Sequence, residues 1–251
     1  PWASYEIGDL ATLFRLETRL EARSKPPSFA ALLQSSSSPD TAMAALTAFR
    51  DGEYSDPARE MLGASQQAWL ANGLKRSKSS GRTWQVLVQQ VLMGNLSTPV
   101  QLVDALTDEV PDFVRQRLTA SAMAARAGLP LNMDAWDGYP AARARVFEAA
   151  LAADANLVSL AGDTHNAWAF DLSHEGAPVG VEFGGQSVTS PGFEAYLGQV
   201  PPATLAGALV QANDQLVFAD TAQRGYMAVT LTPDRATSEY RFLSGLSLIH
   251  I

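Results

Sequence analysis

The sequence contains no cysteine and only three histidines among its 251 residues. The absence of cysteine excludes disulfide scaffolds, thiolate nucleophiles and cysteine-ligated zinc sites within this chain. Imidazole chemistry therefore depends on His165, His174 or His250. We expect the terminal stretch LSLIHI (246–251) to be derived from a sequencing adapter, which removes His250 from functional interpretation. His174 falls in the polar turn SHEGAP and is predicted to be a solvated loop residue.

Basic residues and long apolar runs are also scarce. Lysine and arginine number 18 against 26 aspartates and glutamates, which gives a formal net charge of −8. This balance argues against a nucleic-acid binder, because no basic surface is available to displace counterions. No apolar run reaches the roughly 18 residues that a membrane span requires. A Gly-x-Ser-x-Gly elbow, a Walker loop and a Gly-x-Gly-x-x-Gly loop are absent, so serine hydrolase and nucleotide-binding functions lack support.

The hydrophobic patterning predicts a layered α/β fold. Helix-length and strand-length runs alternate in the first part, with strands at 7–16, 84–93 and 156–161 and helices at 65–77 and 141–153. The second part predicts short strands separated by turns, at 167–172, 179–183, 215–219, 225–231 and 238–243, with one helix at 202–212. This change from alternating helices and strands to an antiparallel pattern is typical of sheets stacked on one another.

The stretch LAGDTHNAW (160–168) is the first candidate site. Asp163 and His165 follow a predicted buried strand and Gly162, and ligands of α/β sheets bind at the carboxyl ends of strands. Residues two apart on an extended loop point to the same side, so the carboxylate and the imidazole could share a metal ion. A structural or incidental Asp-x-His at a strand end is the alternative interpretation.

Three further groups of polar residues are candidates. Asp134 and Asp137 lie in the loop DAWDGYP (134–140), where aspartates also cap turns. Gln89 and Gln90 lie inside the apolar run 84–93, where a buried amide pair needs hydrogen-bond partners and serves either a site or the core. Arg19, which follows the first strand together with Arg23, could bind substrate oxygens or be a structural surface residue.

Six stretches, taken in order, resemble the alkaline phosphatase D family of calcineurin-like metallophosphoesterases. The matching stretches are DPAREMLGASQQAWL (56–70), RTWQVLVQQVLM (82–93), DAWDGYPAARARV (134–146), NLVSLAGDTHNAWAFDL (156–172), VEFGGQSVTSPG (181–192) and RGYMAVTLTPDRATSEYRF (224–242). The resemblance implies an α/β/β/α sandwich and hydrolysis of phosphate monoesters or diesters, with iron and calcium as metals. It further implies a small-molecule substrate and a periplasmic or extracellular location.

The resemblance also implies roles for individual residues. Asp163 and His165 become the expected metal ligands and catalytic residues, with His165 either binding a metal or donating a proton to the leaving group. Asp137 and Asp134 are expected to approach the same metals. The expected substrate-binding residues are Gln89 or Gln90, together with Arg19.

The chain departs from the family pattern at its N-terminal side. The family's Gly-Asp-x-x-Tyr and Asp-Asp-His-Glu motifs are absent, and Glu17-Thr18-Arg19 stands where the family has Asp-Thr-Arg. We therefore expect residues 1–245 to be the C-terminal portion of such a domain, incomplete at its N-terminal side, with a helical insertion at 98–131. The alternative to an active enzyme is a catalytically incomplete structural fragment that lacks the N-terminal metal ligands.

Overall fold

The computed structural model describes residues 1–34, 36–104 and 112–244, and the predicted adapter tail lies outside these ranges. The α/β prediction is confirmed by seven α-helices and nine strands in the described residues. The helices are α1 Phe29–Leu33, α2 Pro39–Phe49, α3 Gly63–Ser79, α4 Gln101–Asp104, α5 Asp112–Arg126, α6 Pro140–Ala152 and α7 Pro202–Ala212. The strands are β1 Ala3–Ile7, β2 Ala11–Arg15, β3 Trp84–Val88, β4 Leu157–Ala161, β5 Ala167–His174, β6 Ala177–Gly184, β7 Leu216–Asp220, β8 Gly225–Leu231 and β9 Ala236–Phe242.

Seven strands form one mixed sheet in the order β1-β2-β3-β4-β6-β5-β7, and β8 pairs with β9 in a second sheet. Strands β2, β3, β4 and β6 run parallel to one another, whereas β1 pairs with β2, and β5 pairs with β6 and β7, in antiparallel fashion. Parallel strands require crossover connections, and the helical segments between β2 and β3 and between β3 and β4 supply them.

Both faces of the large sheet are covered by other elements, to different extents. Helices α3 and α6 pack on one face, where Leu70, Leu74 and Val146 join the main apolar core. On the other face, Leu231 and Ala236 of the small sheet pack on a cluster around Val86 and Val158. The described residues thus form three successive layers: helices, the seven-stranded sheet and the two-stranded sheet.

Two predicted strands differ from the structure. Residues 7–16 form the turn and second strand of a hairpin instead of a single strand, because Gly8 adopts a positive φ of 53° that reverses the chain. The strand predicted at 84–93 ends at Val88, so Gln89 and Gln90 lie in the loop that follows it. Within the predicted insertion at 98–131, α4 and α5 are helical as expected, and residues 105–111 lie outside the described residues.

None of the described helices is long and apolar enough to cross a bilayer.

The pairing of β4 with β6 depends on a glycine, which gives a test of the sheet. A Cβ on Gly180 would lie 2.2 Å from the carbonyl oxygen of Leu157, its partner in the register, so Gly180→Ala forces the two backbones apart. We expect the free energy of unfolding, measured by urea denaturation, to fall by about 1–3 kcal/mol. Gly207→Ala in α7 is the control, because a Cβ there meets nothing within 4 Å. The control should gain up to about 1 kcal/mol from helix propensity, and equal losses in both variants would contradict the assigned pairing.

Candidate active site

The candidate site lies where three parallel strands end. Strands β2, β3 and β4 are adjacent and parallel, so their carboxyl ends meet at one edge of the sheet. The chain leaves β2 toward Arg19, leaves β3 toward Gln90 and leaves β4 toward Asp163. Backbone hydrogen bonds continue past the strands, from Leu16 to Val88 and from Gln89 to Leu160, and keep the three exits together.

The turn formed by residues 162–165 follows β4 and carries the predicted Asp-x-His pair. Asp163 and His165 have positive φ values of 75° and 62°, so the segment is a tight left-handed bend and not the extended loop expected from the sequence. Left-handed conformations are costly for residues other than glycine and concentrate at functional sites. The strained backbone at both candidate ligands therefore agrees with a functional turn.

His165 is held in one tautomer. Its Nδ1 lies 2.8 Å from the carbonyl oxygen of Pro191, which can only accept a hydrogen bond, so Nδ1 carries the proton. The neutral ring then presents an unprotonated Nε2 lone pair, the arrangement found in metal-ligating histidines whose other nitrogen binds a carbonyl. This tautomer suits His165 for metal binding better than for donating a proton from Nε2.

Arg19 joins two of the predicted metal ligands. Its Nη2 donates to Asp163 Oδ1 at 2.7 Å, and its Nη1 donates to Asp134 Oδ2. Arg23 donates to the other oxygen of Asp134 at 2.5 Å. Burial opposes ionisation of Asp134, but the hydrogen bonds and charges of Arg19 and Arg23 lower its pKa below the usual value. Asp134 thus serves in this structure to hold two arginines beside the 162–165 turn.

A carboxylate shapes the turn that presents Arg19. Glu17 accepts hydrogen bonds from the backbone N–H groups of Arg19, Leu20 and Glu21 at 2.7–3.1 Å. Burial opposes ionisation, but these backbone donors lower the pKa of Glu17. The buried Gln66 of α3 clamps the main chain of Glu17, donating to its carbonyl at 2.9 Å and accepting from its N–H at 2.8 Å. The direction of Arg19 is therefore set by its own turn and by α3.

The two glutamines after β3 have separate environments. Gln89 is buried and bonded at both ends, accepting from Trp136 Nε1 at 2.6 Å and donating to Ser159 Oγ at 2.9 Å. Gln89 is therefore an amide that serves the core, one of the two interpretations that the sequence allowed. Gln90 is exposed, and its Oε1 accepts a 2.6 Å hydrogen bond from the Thr18 hydroxyl. This bond turns the amide NH₂ group of Gln90 away from Thr18, so Gln90 remains the glutamine available to a substrate.

Asp137 is a buried structural carboxylate in this fold. Its side chain is 1% exposed, and its oxygens accept from Leu96 N at 2.8 Å and Arg143 Nη1 at 2.5 Å. Burial raises the pKa of Asp137, against the opposing charge of Arg143. In this structure each oxygen of Asp137 accepts a hydrogen bond inside the protein, and the expected approach of Asp137 to a metal stays a prediction.

The structure therefore brings together some of the predicted residues and separates others. Asp163, Arg19 and Asp134 form one linked group beside His165 and Gln90, whereas Asp137 and Gln89 belong to the core. Within the described ranges, no group of three or more Asp, Glu or His side chains is placed to hold a metal ion. The metal-binding roles of Asp163 and His165 in the 162–165 turn therefore stay predictions.

Sequence reasoning missed the residues that support the site. Thr18, Gln66 and the buried Glu182 of β6 make contacts with segments distant along the chain, which no local pattern reveals. The sequence does give one signal for Glu182: it is a carboxylate between the apolar residues Val181 and Phe183 of a predicted strand. Such a residue has to find buried partners.

Known proteins resemble the chain in both sequence and structure. The model of the PhoD-like phosphatase family matches residues 1–240. Alkaline phosphatase D of Bacillus subtilis (strain 168) is 30% identical over 198 residues, an alignment that covers 76% of this chain and 28% of that protein. A solved structure described as "Structure of PhoD" superposes with a TM-score of 0.63 at 26% identity, covering 96% of this chain and 38% of the other.

These likenesses have two consequences. The structural match confirms the predicted metallophosphatase-like fold class. The chain spans 28% of the length of the curated relative and 38% of the solved chain, so it corresponds to part of each.

The arginine bridge predicts the ionisation of Asp134. Arg19→Gln removes one hydrogen-bonding cation from its carboxylate, so the pKa of Asp134 should rise toward the ordinary value of an aspartate. The lowered pKa of Asp134 stabilises the fold at pH values above the unfolded-state pKa, and this contribution is lost in acid. The variant has less of this contribution to lose, so acidification should reduce its free energy of unfolding by less than in the wild-type chain. Carboxyl ¹³C NMR titration measures the first effect. Arg241→Gln, which removes the exposed pair with Glu239, should leave Asp134 unchanged; an unchanged Asp134 in Arg19→Gln would contradict the bridge.

The contact with Pro191 predicts the tautomer of His165. In ¹⁵N-correlated NMR spectra at alkaline pH, where the ring is neutral, Nδ1 should carry the proton and Nε2 should show the shift of an unprotonated nitrogen. His174 serves as the internal reference, because its Nε2 faces Glu148 at 3.8 Å instead of a carbonyl. A proton found on Nε2 of His165 would exclude the proposed ligand geometry.

Proposed function

The chain belongs to the PhoD-like phosphatase family, and we propose that its parent protein is a metal-dependent hydrolase of phosphate monoesters or diesters with water as the nucleophile. The observation that carries the proposal is the match of the family model over residues 1–240, which includes the strained 162–165 turn. The substrate is a small-molecule phosphate ester.

The residues of the 162–165 turn fit a metal ion. Asp163 offers a partly exposed carboxylate and His165 an unprotonated Nε2, a mixed oxygen and nitrogen donor set that suits iron and, through the carboxylate, calcium. Iron and calcium are the metals that the resemblance implied. Metal ions at such a site polarise phosphoryl oxygens and lower the pKa of bound water. Asp163 and His165 are the metal-binding residues of the proposal, while Asp134 holds the arginines and Asp137 holds the core.

Arg19 and Gln90 are the proposed substrate-binding residues. Arg19 is fixed by the Glu17 turn, and its planar guanidinium suits the oxygens of a phosphate better than any other side chain. Gln90 can donate from its NH₂ group, since Thr18 holds only its carbonyl oxygen. Arg19 would bind and orient the phosphoryl group after exchanging part of its contact with Asp163 for the substrate.

A second proposal concerns the isolated chain. The observation that favours it is that the described residues hold no group of three candidate metal ligands, although the turn supplies two. We infer that the 251-residue chain alone is a catalytically incomplete structural unit and that further ligands come from elsewhere in the parent protein. For the parent we also propose a periplasmic or extracellular location, on the basis of the family resemblance.

Hydrolysis of p-nitrophenyl phosphate and of bis(p-nitrophenyl) phosphate, with added calcium and iron, tests both proposals. In the parent protein, Asp163→Ala and His165→Ala should each reduce kcat/KM by at least about a hundredfold, because each removes a side chain that binds the metal directly in our proposal. His174→Ala is the matched control, because His174 ends β5 and contacts Phe147 and Glu148, away from the turn.

Each outcome decides a separate point. Full activity and metal content in Asp163→Ala or His165→Ala would contradict the site. Absence of hydrolysis by the wild-type parent would contradict the proposed function. Robust turnover by the isolated chain would contradict the incomplete-unit proposal.

A further inference from the structure

Glu182 is a fully buried carboxylate that the proposed chemistry does not use. It lies in β6 opposite Ser159 of β4, and its side chain is 0% exposed. Both of its oxygens accept from Met93 N at 2.9 Å, and one also accepts from Gly94 N at 2.7 Å. The Ser159 hydroxyl is a third donor, at 2.8 Å. All of these partners donate, so the contacts suit an ionised carboxylate.

The hydrogen bonds continue in one direction beyond Ser159. Its Oγ accepts from Gln89 Nε2, and Gln89 Oε1 in turn accepts from Trp136 Nε1. Each donor therefore points along the chain of contacts toward Glu182. The carboxylate ends a buried network that joins β4, β6, the start of the loop after β3 and the 136–138 turn.

The segment of residues 89–96, which leaves β3 at the candidate site, is held on two sides. Glu182 binds the N–H groups of Met93 and Gly94 on one side. On the other side, Arg143 donates to the Met93 carbonyl at 2.9 Å, and Asp137 accepts from the N–H of Leu96. The segment has no regular secondary structure of its own, so these side chains fix its path.

This path determines where Gln90 meets the 162–165 turn. The carbonyl oxygen of Gln90 would lie 3.9 Å from a Cβ added at Gly162, so the two loops are close neighbours. A shift of the 89–96 segment would move both the Gln90 amide and the support of the turn that carries Asp163. A displacement of about 1 Å in a supporting segment is enough to reduce catalysis strongly.

We propose that Glu182 is a positioning residue of the candidate active site, whose ionised carboxylate holds the 89–96 segment against the 162–165 turn through Met93 and Gly94. Glu182 itself touches neither Asp163 nor His165 in the described contacts. The catalytic part of this inference rests on the proposed phosphoesterase function, whereas the structural part stands without it.

The hydrogen bonds of Glu182 to Met93 and Gly94, called the Glu182 anchor below, respond to pH. Burial raises the pKa of Glu182 to about 7, against the hydrogen bonds from Gly94, Met93 and Ser159 and the charge of Arg143. From β9, Tyr240 faces the same region; burial raises the pKa of Tyr240, and the charge of Glu182 adds to this increase. Asp137 faces the region from the 136–138 turn through its ion pair with Arg143. Because the folded-state pKa exceeds the unfolded value, the contribution of Glu182 to stability is present in acid and is lost as pH rises toward 7. The charge-assisted hold on Met93 and Gly94 strengthens over the same range.

Amide NMR titration of the 251-residue chain from pH 5 to pH 9 tests the structural part. The Met93 and Gly94 N–H protons should shift downfield with one common midpoint near 7, as the carboxylate that they bind becomes charged. The transition should vanish in Glu182→Gln and persist in Glu175→Gln, a control in the exposed turn between β5 and β6. In Ser159→Ala, which keeps the carboxylate but removes a donor, the midpoint should rise by about one pH unit.

Amide proton shifts of Met93 and Gly94 that do not change with pH in the wild-type chain would overturn the anchor, whether or not any variant folds. So would a transition that survives Glu182→Gln. In the parent protein, the profile of kcat/KM against pH should lose an ionisation near 7 in Glu182→Gln and keep it in Glu175→Gln. An unchanged profile would contradict the positioning role. If the wild-type parent hydrolyses no phosphate ester while the amide transition is present, the proposed function fails and the anchor stands.

Discussion

The parallel pairing of β2, β3 and β4 is the constraint on which the candidate site depends. Parallel neighbours must all leave the sheet at the same edge, so segments separated by about 70 residues along the chain become adjacent. This alignment brings the segments that carry Arg19, Gln90 and Asp163 to one edge of the sheet. The crossover helices and the apolar core hold the strands in this alignment. A slip of one residue in β4 would turn its side chains to the opposite face of the sheet.

Carboxylates and arginines fix the loops at this edge. Glu17 closes the turn that bears Arg19, Asp134 receives Arg19 and Arg23, and Glu182 anchors the segment after β3. Asp163 and His165, the metal ligands of our proposal, lie on a strained backbone in the turn beside these loops. Carboxylates that accept several N–H donors organise the loops, and Asp163 accepts one hydrogen bond from Arg19.

Local patterns were sufficient for most elements and for the position of the turn. Helices α6 and α7 and strands β4 to β9 follow their hydrophobic periodicity closely, and a glycine after an apolar strand located Asp163. The single strand expected at 7–16 overlooked the turn signal Gly8-Asp9. The role of Asp137 could not be read from the sequence, because its partner Leu96 comes from a loop about 40 residues earlier. Gln89 and Glu182 likewise depend on partners that only the tertiary fold supplies.

We propose above all that the 162–165 turn supplies ligands to a metal centre in the parent protein. Anomalous diffraction from crystals of the parent grown with iron and calcium tests it most directly. We expect a metal peak about 2.1 Å from His165 Nε2 and about 2.0–2.6 Å from an Asp163 oxygen, with Arg19 displaced from part of its contact with Asp163. Metal peaks found only elsewhere, with the Arg19–Asp163 ion pair intact in the active crystalline protein, would contradict the claim.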